Sequence, residues 1–275
     1  MSDERPNEMK VSAYGYLFNS DKFDFNLDLT VSNFCEFFDE VCCCTLKSDK
    51  TTIKKLREFQ NKFKNFKIVE EDLDIEKDNR FDGKLKTSAL SHCKNELKAI
   101  VDFDEIFPIS NKEKWNEACR ALLESNFDGL LIPSVDLWGD ENLIKKSSFI
   151  GEKFRLHKGT VVKRGVLKEA EIDGIHFDTS MSDSTEPLLL DGSLANFARI
   201  VPSEYLNPVN SKYLKEYPYS LHYGWVDFKR KAEIGKVFWK KHWENRSGHD
   251  EDIPTTEEEI LEKNIETLRH EIPLK

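Results

Sequence analysis

Four short apolar runs alternate with segments whose apolar residues recur at helical spacing, and this alternation occupies the first hundred residues. Residues 10–18 are rich in aromatic and β-branched side chains and read as a strand, closed by the turn Asn19-Ser20-Asp21. Apolar positions 27, 31, 34 and 38 then predict a helix. Residues 41–46 form a continuous apolar strand of the kind a parallel sheet buries on both faces. Ser48-Asp49 supplies a cap, and residues 52–63 carry Ile53, Leu56, Phe59 and Phe63 on one helical face. A third strand at 66–69, a helix at 83–93 and a fourth strand at 97–101 complete the series. Strand and helix in strict turn predict an α/β fold with a mainly parallel sheet flanked by helices.

Beyond residue 110 the rhythm changes. A helix is expected at 115–123 and strands at 128–135 and 153–157, separated by a loop containing Trp138-Gly139-Asp140. Short strand-like pieces punctuated by Gly, Asp and Ser fill 159–200, helical spacing returns at 234–243, and an acidic-then-basic helix is expected at 256–270. This divides the chain into a flexible start at 1–9, one mixed α/β domain at 10–245 and a C-terminal helical appendage at 246–275.

Composition narrows the partners. Among 275 residues, 41 Lys+Arg against 51 Asp+Glu leave a net charge of −10, which speaks against wrapping nucleic acid. No apolar run reaches the ~18 residues of a membrane span, and the opening Met-Ser-Asp-Glu-Arg-Pro is too polar for a signal peptide. Six cysteines, at 35, 42, 43, 44, 93 and 119, include no CxxC pair and no zinc spacing. They read as small apolar thiols in a reducing compartment, so the expected location is cytoplasmic.

Chemistry concentrates at Ala99-Ile-Val-Asp-Phe-Asp-Glu105. An apolar strand that runs straight into two aspartates puts carboxylates at the carboxyl end of a parallel strand, where open α/β sheets bind ligands. Two oxygen-bearing residues one apart can hold a hard divalent cation, which in turn holds a diphosphate. An ordinary acidic turn after a strand is the alternative. Asp49 stands either as a helix cap or as a base or ribose contact, and Asn19 as a turn residue or a nucleotide contact. Lys84 and Lys86, two apart on a helix, cannot share a face. Lys153 and Arg155 share a strand face, which suits a diphosphate clamp or simply a solvated surface.

Taken in order, these segments resemble the GT-A glycosyltransferases, most closely the small family-2-like group, over residues 10–245. The strand ending at Asn19, the stretch Phe38-Asp39-Glu40-Val41 with Ser48-Asp49-Lys50-Thr51-Thr52, and the helix Gly83-Lys84-Leu-Lys86 are similar to successive family motifs. Asp102-Phe103-Asp104-Glu105 is similar to the family's D-x-D-E, Lys153-Phe-Arg155-Leu-His-Lys158 to its late basic strand, and Leu221-His222-Tyr223-Gly224 to its H-Y-G motif. Lys50 stands where the family has glycine. The resemblance implies a GT-A-like, Rossmann-like sheet and a DXD motif at Asp102 and Asp104. It further implies Mn2+ or Mg2+ as cofactor, a metal-ligand or diphosphate role for His222, and donor contacts at Asn19, Asp49, Lys84, Lys86, Asp102, Lys153 and Arg155. A core histidine is the other reading of His222, which is flanked by Tyr219, Tyr223, Gly224 and Trp225.

Two functions follow. One is a metal-dependent glycosyltransferase moving sugar from a nucleotide-sugar donor to a glycan, lipid-linked or protein acceptor, with Glu105, Asp136 or Asp140 as the base. The other is a non-catalytic relative that binds a nucleotide or carbohydrate. A nucleotidyltransferase would need a Gly-rich basic loop that residues 14–24 lack.

Overall fold

The computed structural model describes residues 9–23, 26–75, 81–145, 152–159, 161–163, 187–189, 197–199, 216–236, 254–262 and 267–269. Residues 1–8 of the flexible start expected at 1–9, most of 159–200 and residues 237–243 of the helix expected at 234–243 lie outside these. The first half alternates β1 (Val11–Tyr16), α1 (Leu27–Phe37), β2 (Glu40–Leu46), α2 (Lys50–Lys62), β3 (Phe66–Glu71), α3 (Phe81–Ser91) and β4 (Leu97–Ile100). β1 pairs in parallel with β2 and β4, and β2 in parallel with β3. All seven residues of β2 are buried. Cys43 faces the layer of α1 and α2, while Cys42 and Cys44 face α3, so the consecutive thiols fill two layers from one strand. Among the described residues all six cysteines are free.

Then come β5 (Glu105–Ile106), α4 (Lys112–Glu124), β6 (Gly129–Asp136), β7 (Leu143–Lys145), β8 (Glu152–Lys158), β9 (Val161–Lys163), β10 (Pro187–Leu189), β11 (Phe197–Arg199) and β12 (Ser220–His222). The main sheet runs β3-β2-β1-β4-β8-β6-β12-β5, with β11 also on β6. β8 is antiparallel to both β4 and β6, whereas β11 and β12 run parallel to β6. The sheet is therefore mixed and mainly parallel, a GT-A-like α/β fold.

An aromatic cluster holds α1 and α4 under the sheet. Phe107 lies 4.9 Å from Phe38 and 5.1 Å from Trp115, both edge-on. Edge-to-face geometry of this kind adds about 0.5–1.5 kcal/mol per pair beyond the buried area. The same cluster fixes the segment after β4, because Phe103 packs 5.4 Å from Phe34.

After β12 the chain makes a 3-10 turn, Tyr223–Trp225, and enters α5 (Phe228–Ile234), whose first turn is capped by the Asp227 carboxylate accepting from Arg230 N–H at 2.9 Å. The helix expected at 234–243 falls for the most part outside the described residues. The C-terminal helix is shorter than expected: α6 (Glu257–Leu261) has a Thr256–Glu259 capping box, but Thr267–Arg269 forms a strand, β13, antiparallel to β7. Pairing with an available strand edge overrides the helical periodicity of 260, 261, 265 and 268. Ile260 is buried against Trp138 and Ala232. No helix among the described residues is long and apolar enough to cross a membrane.

Candidate donor and metal site

The site begins where β4 ends. At Gly15 on β1 an added Cβ would lie 2.3 Å from the Val101 carbonyl oxygen, so only glycine lets the segment leaving β4 pass this close. Phe103 turns into the core, and the aspartates on either side of it are half-buried, one bonded to Lys86 and the other to His222. Glu105 is fully buried; its carboxylate accepts from Ser134 Oγ and from the Asp102 N–H, both at 3.1 Å. It holds the backbone of the acidic pair. Its burial leaves it no route to an acceptor hydroxyl.

Lys86, 3% exposed, extends from α3 and donates to Asp102 Oδ1 at 2.8 Å. The same ammonium lies 5.7 Å from the Tyr16 ring centroid. Lys84 is only partly buried, on a different face of α3.

β12 completes the wall. Only three residues long, it sits between β5 and β6, with His222 opposite Glu105 on one side and Asp136 on the other. Tyr223 N–H donates to the Asp104 carbonyl at 2.6 Å and Leu137 N–H to the His222 carbonyl at 3.0 Å, stitching three segments together. The imidazole then bridges two carboxylates: Nδ1 is 2.7 Å from Asp136 Oδ1 and Nε2 is 3.1 Å from Asp104 Oδ2. Burial opposes charge on this ring, but Asp104 and Asp136 outweigh it and raise His222 to about 9. Burial likewise opposes the charge of Asp104. His222, with help from Lys231, prevails and lowers Asp104 to about 2.

Gly224 presses against this pair. A Cβ there would lie 2.6 Å from His222 Nε2 and 2.9 Å from Asp104 Oδ2.

Two oxygen and nitrogen ligands on neighbouring positions of one ion, each at ~2.1 Å, stand about 3.0 Å apart. The 3.1 Å between Asp104 Oδ2 and His222 Nε2 matches this spacing. The pair thus offers two donors at a spacing that suits a hard divalent cation; Asp102, bonded to Lys86, completes no group of three with them.

Asn19 and Asp49 also meet. Asn19 adopts a left-handed φ of 48°, and its N–H donates to Asp49 Oδ2 at 2.6 Å. Asp49 in turn caps α2, accepting from Thr52 N–H at 2.9 Å and Thr52 Oγ1 at 2.5 Å. Both carboxylate oxygens thus have partners, and the capping reading holds for Asp49 whatever else it contacts. Lys153 and Arg155 lie on β8, and their side chains fall outside the described residues. Asp140 is exposed and accepts from Asn142 N–H and Nδ2, closing a turn.

Several neighbours were not singled out from sequence. Lys145 lies 4.0 Å from Asp136 Oδ2 and 5.3 Å from the Trp138 ring centroid. Lys231 stands 4.5 Å from the Trp225 centroid. The Tyr223 hydroxyl donates to Glu141, and that hydrogen bond and above all burial push the phenol up to about 12. Lys145 and Lys231 belong to no local motif, whereas Tyr223 is part of the Leu221–Gly224 stretch already read from the sequence.

Among the described residues the one group of three clustered metal-type ligands lies elsewhere, at Glu40, Cys42 and Cys93. The Glu40 carboxylate already accepts from Ser12 Oγ, Lys67 Nζ and Lys94 N–H, and the Cys42 contact together with burial raises the Cys93 thiol. Saturated by protein donors beside a lysine, it anchors the loop between α3 and β4 and suits no cation.

No family model matches the chain, and no curated protein matches it. Solved structures do. S. aureus TarS 1-349 aligns at 20% identity over 55% of this chain and 47% of that one, TM-score 0.37, so the chain spans about half of that structure's length. The same protein in complex with UDP-GlcNAc aligns at 17% identity over 88% of this chain and 68% of that one, TM-score 0.39. The mannosyltransferase PcManGT from Pyrobaculum calidifontis, in complex with GDP-Man and Mn2+, aligns at 11% identity over 56% and 48%, TM-score 0.35. In its own sheet order, with the acidic pair leaving β4, the chain has a GT-A-like α/β fold.

Proposed function

We propose that the protein is a divalent-metal-dependent glycosyltransferase that moves a sugar from a nucleotide-sugar donor to a hydroxyl of a glycan, lipid-linked or protein acceptor. The observation that carries this reading is the Asp104–His222 pair at 3.1 Å beside Asp102, at the carboxyl end of a parallel strand. Asp102, Asp104 and His222 would hold Mn2+ or Mg2+. A bound cation would supply Lewis-acid stabilisation of the charge that develops on the departing diphosphate.

The chain's own residues do the rest. Asn19 and Asp49, at the ends of β1 and β2, border the place for the nucleoside. Lys86 keeps Asp102 oriented and adds positive charge near the leaving group, and Lys153 and Arg155 are assigned to the diphosphate and sugar. As the acceptor oxygen bonds to the anomeric carbon, the bond from that carbon to the phosphate oxygen breaks and its electron pair leaves with the diphosphate. The acceptor proton passes to a carboxylate, for which exposed Asp140 is better placed than enclosed Glu105.

The test is to incubate the protein with a panel of nucleotide sugars and Mn2+ and follow release of nucleoside diphosphate by chromatography. One donor should be turned over slowly to sugar and diphosphate, and Asp104→Asn should abolish the release. No release from any donor, together with no bound donor at millimolar concentration, would refute the reading.

A further inference from the structure

We infer that Asp136 is a positioning residue, which fixes the imidazole of His222 so that Nε2 faces Asp104 and the cation. This rests on the metal reading above and deepens it. An ionised carboxylate only accepts hydrogen bonds, so the 2.7 Å contact requires a hydrogen on Nδ1. Nε2 likewise faces an ionised carboxylate, Asp104 at 3.1 Å; a cation between those two atoms would take the place of the hydrogen there, while Nδ1–H stays with Asp136.

The backbone makes this arrangement rigid. Asp136 and His222 are register partners on parallel strands, and Leu137 N–H closes on the His222 carbonyl immediately after them. From the other side Lys145 lies 4.0 Å from the second carboxylate oxygen, Asp136 Oδ2, and Gly224 packs so close to the ring that a Cβ there would meet Nε2 at 2.6 Å. The contact at 2.7 Å is shorter than the one Nε2 makes to Asp104, so the ring is held from behind more closely than from the front. This takes Asp136 out of contention as the base.

The experiment measures Mn2+ affinity by electron paramagnetic resonance titration of wild type, Asp136→Ala, Asp136→Asn and His222→Ala. It adds a long-range nitrogen–proton NMR spectrum of the Mg2+-loaded protein labelled at histidine. Asp136→Ala should weaken Mn2+ binding by about 10- to 100-fold. Asp136→Asn, whose amide oxygen still accepts from Nδ1–H, should recover most of the loss. The wild-type spectrum should show His222 protonated at Nδ1, and Asp136→Ala should show a mixture of tautomers. Should Asp136→Ala bind Mn2+ as wild type does while His222→Ala does not, the positioning role falls and the metal site stands. Should wild type bind no Mn2+ at all, the metal reading itself falls and takes this inference with it. If Asp136→Ala fails to fold, a wild-type Nε2-protonated tautomer, or loss of turnover in Asp136→Asn at unchanged Mn2+ affinity, overturns the assignment.

Discussion

Adding one methyl group at Gly224 should damage the site far more than the fold. The Gly224 backbone does not lie in the left-handed region, so alanine is conformationally allowed, and its stiffer unfolded chain alone favours the variant by ~0.4–1 kcal/mol. The new Cβ would start 2.6 Å from His222 Nε2 and 2.9 Å from Asp104 Oδ2. Ordinary contact begins near 3.4 Å, so these atoms must retreat by roughly 0.8 and 0.5 Å. Neither can do so freely. His222 is held by Asp136 behind it and Asp104 by Tyr223 N–H at its carbonyl. Ligand distances in a metal site tolerate only about ±0.2 Å. Metal-dependent binding of a nucleoside diphosphate should therefore fall at least tenfold, about 1.4 kcal/mol, while unfolding free energy changes by no more than ~2 kcal/mol. Calorimetric titration with and without Mn2+, paired with urea unfolding, reads both numbers. A Gly224→Ala protein that binds within threefold of wild type would refute the geometry.

Other substitutions separate the fold from the site. Glu40→Ala removes the acceptor for Ser12, Lys67 and Lys94 and should cost ~2–4 kcal/mol in urea unfolding, with unchanged nucleotide affinity; a loss below about 1 kcal/mol would contradict it. His157, in contact with the Tyr14 hydroxyl at 2.8 Å, is lowered to about 3, chiefly by burial, so between that value and ~6.5 the unfolded chain binds the extra proton and stability falls as pH falls. The loss from this group should be roughly 2 kcal/mol at pH 5, and His157→Gln should show that much less pH dependence between 7 and 5. Ile260→Ala, buried against Trp138, should lower stability by ~2–4 kcal/mol. Deletion of residues 250–275 should lower the melting temperature more than donor affinity, in keeping with a catalytic unit at 10–245; lost donor binding in a folded deletion would count against that boundary.

How much of this was legible in the chain itself depends on the range of the interaction. β1 to β4 and the helices between them follow from local periodicity, and the three cysteines read as a doubly buried strand because apolar residues without alternation fit no half-exposed element. Asp102 and Asp104 were visible for the same reason, as a polar break at the end of an apolar run. His222 stood out by its aromatic flanks, but the slot for β12 did not: a three-residue strand has no periodicity, and its place is set by pairing with β5 and β6, more than 80 residues away. The same holds for β13, whose residues carry a helical stripe and yet find hydrogen-bond partners on β7. Glu105 looked as available as its neighbours until Ser134 and the Asp102 amide closed over it.

The central claim is that Asp104 and His222 bind a nucleoside diphosphate through a divalent cation. Its most direct test is isothermal titration of wild type with a panel of nucleoside diphosphates, with Mn2+ and with excess chelator, repeated for Asp104→Asn. At least one diphosphate should bind wild type in Mn2+ and lose at least tenfold in affinity in chelator, and the folded Asp104→Asn protein should behave in Mn2+ as wild type does in chelator. Binding that is equally tight in chelator, or equally tight in Asp104→Asn, would contradict the account.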